Sequence, residues 1–166
     1  MLRWSKIRKE DIANGPGMRV SIWVQGCNLH CPGCFNPSTW DPNAGHVLGP
    51  KVTQQFIELG KPKSIVGYSI LGGEPLLNCK EMLQLVRKIK NTYPKKTIWM
   101  WTGFTYENLT EAQLEVLKYI DVLVDGPFKQ ELKNPNLKFK GSTNQRIIDV
   151  QSSLEAGHVV LDEIFN

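Results

Sequence analysis

The sequence predicts an α/β protein built on a mostly parallel, curved sheet that stays open. Three observations lead there. Apolar runs with strand periodicity recur four times, and helical stripes with capping residues fall between them. At 166 residues the chain is also too short for a closed eight-stranded barrel, which typically needs about 250. Strand and helix in alternation, joined by right-handed crossovers, give an incomplete barrel whose ligands collect beyond the carboxyl ends of the strands. With no repeat, low-complexity tract or long linker, residues 1–166 are expected to form a single domain.

The elements follow in order. Met18–Gln25 (MRVSIWVQ) puts Met18, Val20, Ile22 and Val24 on one face, as a strand does. Val52, Phe56 and Leu59 predict a short helix ending at Gly60. Ser64–Leu71 (SIVGYSIL) is a nearly continuous apolar run, suited to a strand covered on both faces. Asn78 with Glu81 three residues on predicts a capped helix, with Met82, Leu85, Val86 and Ile89 as its buried stripe. Lys96–Trp101 is the third strand. Thr110 with Gln113 repeats the cap ahead of Leu114 and Leu117, and Ile120–Asp125 is the fourth strand.

Composition narrows the class. A hydrophobic share of 41% and a charged share of 22% are those of an ordinary soluble globular protein. No apolar run approaches the roughly 20 residues that span a bilayer, so no membrane partner is expected. The opening MLRWSKIRKED lacks a signal peptide's apolar core, so a reducing cytoplasmic address is expected, which disfavours structural disulfides. The net charge of +4 is modest. Lys129, Lys133, Lys138, Lys140 and Arg146 form either a solvated surface or a docking face for an acidic protein. They lack the aromatic interleaving that nucleic-acid binding requires.

Three of the four cysteines stand within eight positions, Cys27, Cys31 and Cys34, directly after the first strand. Three thiolates on a short loop can each take one iron of an iron–sulfur cube, leaving a fourth iron without a thiolate. Cys79, expected at the first turn of a helix, points away from that mouth. Zinc is the alternative, with His30 or His46 completing a Cys₃His site, and spacing alone does not choose between them. The loop after the second strand, Gly72-Gly73-Glu74-Pro75, adds to the pattern. Its glycines let backbone approach a ligand closely, its carbonyls can accept from an ammonium group, and Glu74 can add negative charge. Thr102-Gly103-Phe104 and Asp125-Gly126-Pro127-Phe128 follow the third and fourth strands, so four loops are expected to face one cavity.

Cys27-x₃-Cys31-x₂-Cys34 followed by the GGEP turn resembles the radical S-adenosylmethionine enzymes. NGPGMR (Asn14–Arg19), GCNLHCPGCFNPSTW (Gly26–Trp40) and DVLVDGPF…KGSTNQRIIDVQ (Asp121–Gln151) resemble, more narrowly, the family of anaerobic ribonucleotide reductase activating proteins. The resemblance implies the incomplete (β/α) barrel of the radical S-adenosylmethionine type. It also implies a four-iron, four-sulfur cluster on Cys27, Cys31 and Cys34, with the amine and carboxylate of S-adenosylmethionine on the fourth iron. Cofactor contacts are then expected from Gly33, Cys34 and Phe35 near the adenine, from Gly72, Gly73 and Glu74 near the methionyl group, and from Thr102 and Asp125. Many members of the superfamily carry an aromatic residue where Gly33 stands, and here Phe35 follows the last cysteine instead. Met100 and Trp101 replace the polar residues that would line a cation site, so no cation is expected.

The implied reaction is reductive cleavage of S-adenosylmethionine to methionine and a 5′-deoxyadenosyl radical, which abstracts hydrogen from a glycine of the reductase. The implied partners are the large subunit of the anaerobic ribonucleotide reductase and an external one-electron donor such as a flavodoxin. An open flank suits a substrate that is a loop of another protein. The competing readings are an activase of another glycyl-radical enzyme, against which the absence of extra cysteine-rich insertions argues, and a zinc-binding interaction module.

Overall fold

The computed structural model describes residues 1–166. In chain order the elements are β1 (Arg3–Asp11), β2 (Met18–Val24), β3 (His46–Val47), α1 (Pro50–Glu58), β4 (Ile65–Gly72), α2 (Cys79–Thr92), β5 (Thr97–Trp101), α3 (Glu111–Leu117), β6 (Val122–Asp125), β7 (Arg146–Asp149) and α4 (Val150–Ala156). The seven strands form one sheet in the order β3-β1-β2-β4-β5-β6-β7.

The four strands read from the sequence are β2, β4, β5 and β6, and they run parallel. The expectation of a mostly parallel sheet is corrected at both edges. β1 is antiparallel to β2 and to β3, and β7 is antiparallel to β6, so three of the six pairings are antiparallel and the sheet is mixed. The cause is connection length on one side. The link from β1 to β2 spans only residues 12–17, too short for the crossover that parallel strands need. On the other side the chain between β6 and β7 contains a short 3₁₀ turn but no α-helix to carry a crossover.

Period-two alternation divides the central strands between two faces. Val20, Ile22 and Val24 of β2, Tyr68 and Ile70 of β4, and Ile98 and Met100 of β5 pack with the stripes of α1, α2 and α3 in one core. Met82, Leu85, Val86 and Ile89 are that stripe on α2, as the sequence predicts. The opposite face carries Trp99, Val124 and Ile147 under Phe139 and Phe165.

Arg19 also belongs to that second face, and it is fully buried. Nε donates to Ser69 Oγ at 2.9 Å, Nη1 to Pro16 O at 3.1 Å, and Nη2 to Tyr68 O, Thr97 O and Thr97 Oγ1 at 3.0 Å. One guanidinium therefore ties the turn before β2 to β4 and β5. Burial lowers its pKa to about 10, which leaves it cationic at neutral pH.

The helix starts came out differently. Thr110 and Gln113 make the expected reciprocal cap, at 3.2 and 2.9 Å. Asn78 makes no side-chain cap: at φ −108° and ψ 66° it lacks the extended geometry that folds a capping side chain onto the third helical residue.

Candidate functional site

The loops after β2, β4, β5 and β6 do face one cavity, of about 550 Å³. Its wall includes Cys27, Cys31 and Cys34, then Gly72, Gly73 and Glu74, then Thr102 and Gly103, and finally Gly126 and Phe128. A fifth wall comes from residues 133–145, among them Leu137, Phe139 and Gln145. Side-chain amides hold this segment in place. Gln145 Oε1 accepts from Gly141 N at 2.8 Å and its Nε2 donates to Gly126 O at 3.0 Å, while Asn144 Nδ2 donates to Pro127 O at 2.8 Å. No periodicity marks such a segment, so its place in the wall was not legible in the sequence. The amide pair Asn144-Gln145 close behind Gly141 was its one local signal.

The cysteine loop leaves the sheet after Val24 and closes on its own start at Thr39 and Trp40. Gly26 N donates to Thr39 O at 2.6 Å and Cys27 N to Trp40 O at 3.1 Å. Within it, Cys34 N donates to Cys31 O at 3.1 Å across Pro32-Gly33, with Gly33 at φ 73°. A β-turn with proline second and a left-handed third residue needs glycine there, which explains why no aromatic side chain precedes the last cysteine. All four cysteines are free thiols. Asn36 N donates to Cys34 Sγ at 3.4 Å. Burial pushes the Cys27 thiol up, against the pull of the Leu29 and His30 N–H groups.

The GGEP turn is zipped to this loop. Gly73 N donates to Val24 O at 3.1 Å and Glu74 N to Gly26 O at 2.8 Å. A Cβ on Gly73 would collide with Gly26 O, so the close approach requires glycine. Those two N–H groups are therefore committed within the protein and are not free for a ligand.

Glu74 is buried, and its carboxylate is already used. It accepts from Leu76 N at 2.9 Å, from Gly103 N at 2.7 Å, and from Thr102 Oγ1 at 2.8 Å. Thr102 Oγ1 in turn accepts from Phe104 N at 3.1 Å. Desolvation pushes Glu74 up to about 7 despite these donors. The two residues thus link the β4 and β5 loops as one unit in the cavity wall.

Asp125 is buried and does not line the cavity, although Gly126 beside it does. Arg146 grips it in a two-pronged pair, Nε to Oδ1 at 3.0 Å and Nη2 to Oδ2 at 2.6 Å, and Tyr106 N donates to Oδ2 at 2.9 Å. The same guanidinium reaches Glu107, and the two carboxylates hold it firmly charged. Gly33 is outside the wall as well, against Gln130. Phe35 is exposed at the mouth, its ring 4.9 Å from that of Phe128 with Lys133 Nζ 5.4 Å away. Cys79 opens α2, away from the wall, its thiol donating to Leu76 O at 3.2 Å.

The donor set suits a cluster. A cube takes one iron per cysteine, and three free thiols from one loop line this cavity. The cavity is also large enough for a small organic molecule alongside it.

Comparisons with known proteins agree with this chemistry. A family model described as a 4Fe-4S single cluster domain matches residues 13–148. The chain is 43% identical over 141 residues to the anaerobic ribonucleoside-triphosphate reductase-activating protein of Vibrio cholerae, covering 82% of this chain and 91% of that one. It is 44% identical over 139 residues to the protein so named in Escherichia coli K12, covering 81% and 90%. Against that of Enterobacteria phage T4 it is 37% identical over 148 residues, covering 88% and 93%.

Proposed function

The chain belongs to the family of anaerobic ribonucleoside-triphosphate reductase-activating proteins, and we propose that it installs the glycyl radical of its reductase by radical S-adenosylmethionine chemistry. The observation that carries this reading is the shared wall: three free thiols from one loop and the glycine turn zipped to it line a single cavity.

In this reading Cys27, Cys31 and Cys34 hold a four-iron, four-sulfur cluster and leave its fourth iron to the amine and carboxylate of S-adenosylmethionine. Bound there, such a cluster would supply the one-electron reduction of the sulfonium, whose cleavage to methionine and a 5′-deoxyadenosyl radical would let a hydrogen atom be taken from the reductase glycine. The protein's own part is placement and shielding. Carbonyls of the Gly72-Gly73 turn receive the methionyl ammonium. Glu74 and Thr102 fix that turn against the β5 loop, and Asp125, through Arg146, fixes the β6 and β7 ends behind it. Phe35 offers an aromatic face at the mouth for the adenine, and Gly33 shapes the turn that presents Cys34. Residues 133–145 exclude water from one side of the cavity.

The same reading makes residues 1–166 one domain with the incomplete barrel of the radical S-adenosylmethionine enzymes, its open flank admitting the reductase glycine loop. It also calls for a cytoplasmic setting and an external one-electron donor such as a flavodoxin. No helix is long and apolar enough to cross a membrane.

The test is anaerobic reconstitution with iron and sulfide, followed by incubation with reductant, S-adenosylmethionine and the reductase. Four irons per chain, 5′-deoxyadenosine and a glycyl radical signal on the reductase are expected. A colourless protein holding stoichiometric zinc would overturn the reading.

A further inference from the structure

We propose that residues 133–141 form a lid over the cavity and that Trp101, acting through Phe139, is the positioning residue that holds it shut over S-adenosylmethionine, an inference that rests on the cofactor reading above. The segment is a flap with a braced base. Lys133 bridges Ser142 in antiparallel register, Asn134 N donates to Gly141 O at 3.2 Å, and Thr143 N donates to Leu132 O at 3.0 Å. Lys129 N donates to the buried Ser142 Oγ at 3.2 Å, and Gln145 Oε1 holds Gly141 N.

The tip is held differently. From Pro135 to Lys140 the chain makes one hydrogen bond to the sheet, in which Trp101 Nε1 donates to Phe139 O at 2.7 Å. The Phe139 ring packs edge-on against Trp99 at 5.4 Å and Phe165 at 5.3 Å. It does so from a left-handed backbone, φ 63°, which an aromatic residue keeps only where its surroundings impose it. Pro135, Leu137, Phe139 and Lys140 of this tip all line the cavity. One indole N–H and one ring therefore decide whether the tip lies against the cavity, and a strained residue under so few ties is where the wall opens most easily.

A ligand closes a lid only if it interacts more favourably with the closed form. The flap carries the groups for that. Lys133 and Lys140 are the only cationic residues in the cavity wall, which they share with the three cysteines. The one carboxylate there, Glu74, is already occupied by donors from its own loops. A cluster on three thiolates is anionic, so loading the site draws both ammonium groups, and the flap with them, toward the closed position.

Hydrogen exchange in anaerobically reconstituted protein, before S-adenosylmethionine is added, reads the latch. Trp101→Phe keeps a ring and removes the N–H. Loss of that hydrogen bond is expected to raise the open population, and with it exchange across residues 133–141, about fivefold. Exchange in β4 stays as it was, whereas a merely structural role of Trp101 would loosen β4 and β5 together with the flap. If Trp101→Phe does not fold, Phe139→Ala, which takes the ring from its aromatic contacts, is expected to give the same local loosening. Adding S-adenosylmethionine to the unmutated protein slows exchange of the flap. Its release, followed by displacement of labelled with unlabelled cofactor, is about fivefold faster from the variant. Unchanged flap exchange in a folded variant, loosening that spreads to β4, a flap insensitive to S-adenosylmethionine, or an unchanged release rate overturns the inference and leaves the cofactor reading standing. A protein that takes up no iron overturns both.

Discussion

Gly73→Ala tests how tightly the two principal loops are joined. The added methyl group would meet Gly26 O, with the Gly26 carbonyl carbon and Thr39 O close behind, all of it backbone. Restoring an ordinary contact requires the loops to part by roughly 1 Å, a displacement that costs about 100-fold in rate when reacting groups must be aligned. The movement cannot be absorbed cheaply. Gly26 O accepts from Glu74 N at 2.8 Å, and the next residue along is Cys27. Overpacking of this kind costs about 1–3 kcal/mol, and a weakened hydrogen bond about 1 kcal/mol more. A total of about 3 kcal/mol lowers the melting midpoint by roughly 6–12 °C in a chain of this size. The assay compares Gly73→Ala with Gly49→Ser, a site where an added Cβ meets nothing within 4 Å, by thermal melting and by 5′-deoxyadenosine formation in reconstituted protein. Gly49→Ser is expected to match the unmutated chain in both, while Gly73→Ala melts lower and forms 5′-deoxyadenosine about 100-fold more slowly. Equal behaviour of the two variants would refute the reasoning.

Other predictions bear on the remaining parts of the site. Cys31→Ala is expected to abolish the brown iron–sulfur absorbance, whereas Cys79→Ala, whose thiol is away from the cavity wall, keeps the full iron content. Glu74 has a folded-state pKa of about 7 against an ordinary 4.5, so its contribution to stability is fully present below pH 4.5 and is lost as pH rises through 7. That loss is about 3 kcal/mol. Urea unfolding at pH 5.5 and 8.5 should show about 2 kcal/mol of it, the rest being already lost by pH 5.5, and Glu74→Gln should remove the slope. Arg146→Ala strands the buried Asp125 carboxylate without its partner and is expected to cost about 3–5 kcal/mol in urea unfolding. Asp125→Asn in the same background recovers part of that loss.

The legible parts of the fold were those buried on both faces or capped locally. β2 and β4 carry apolar or small side chains at nearly every position, so their periodicity survives in the sequence. β1 does not. Arg3–Asp11 has Lys6, Arg8 and Lys9 among its residues and four exposed positions in nine, because it stands near an edge of the sheet, where charge discourages further pairing. β7 is four residues long, and Ile147 and Ile148 point to opposite faces, which leaves too little pattern to read.

The site divides in the same way. That Cys27, Gly72, Thr102 and Gly126 would share a cavity followed from strand order alone. What Glu74 does with its charge depended on Thr102, distant in sequence, and on where the β5 loop closes. Asp125 likewise depended on Arg146, across the pairing of β6 with β7, one of three that the sequence did not reveal. Arg146 comes from β7, whose pattern is weak, whereas Thr102 follows a strand that was read and only its pairing with Glu74 was missed.

The proposed function requires that three thiolates hold four irons and leave one of them to S-adenosylmethionine. Mössbauer spectra of ⁵⁷Fe-reconstituted protein, recorded with and without S-adenosylmethionine, test it most directly. One iron in four should change its quadrupole splitting and isomer shift when S-adenosylmethionine is added, while the other three keep theirs. Four irons that do not respond to it would contradict the account.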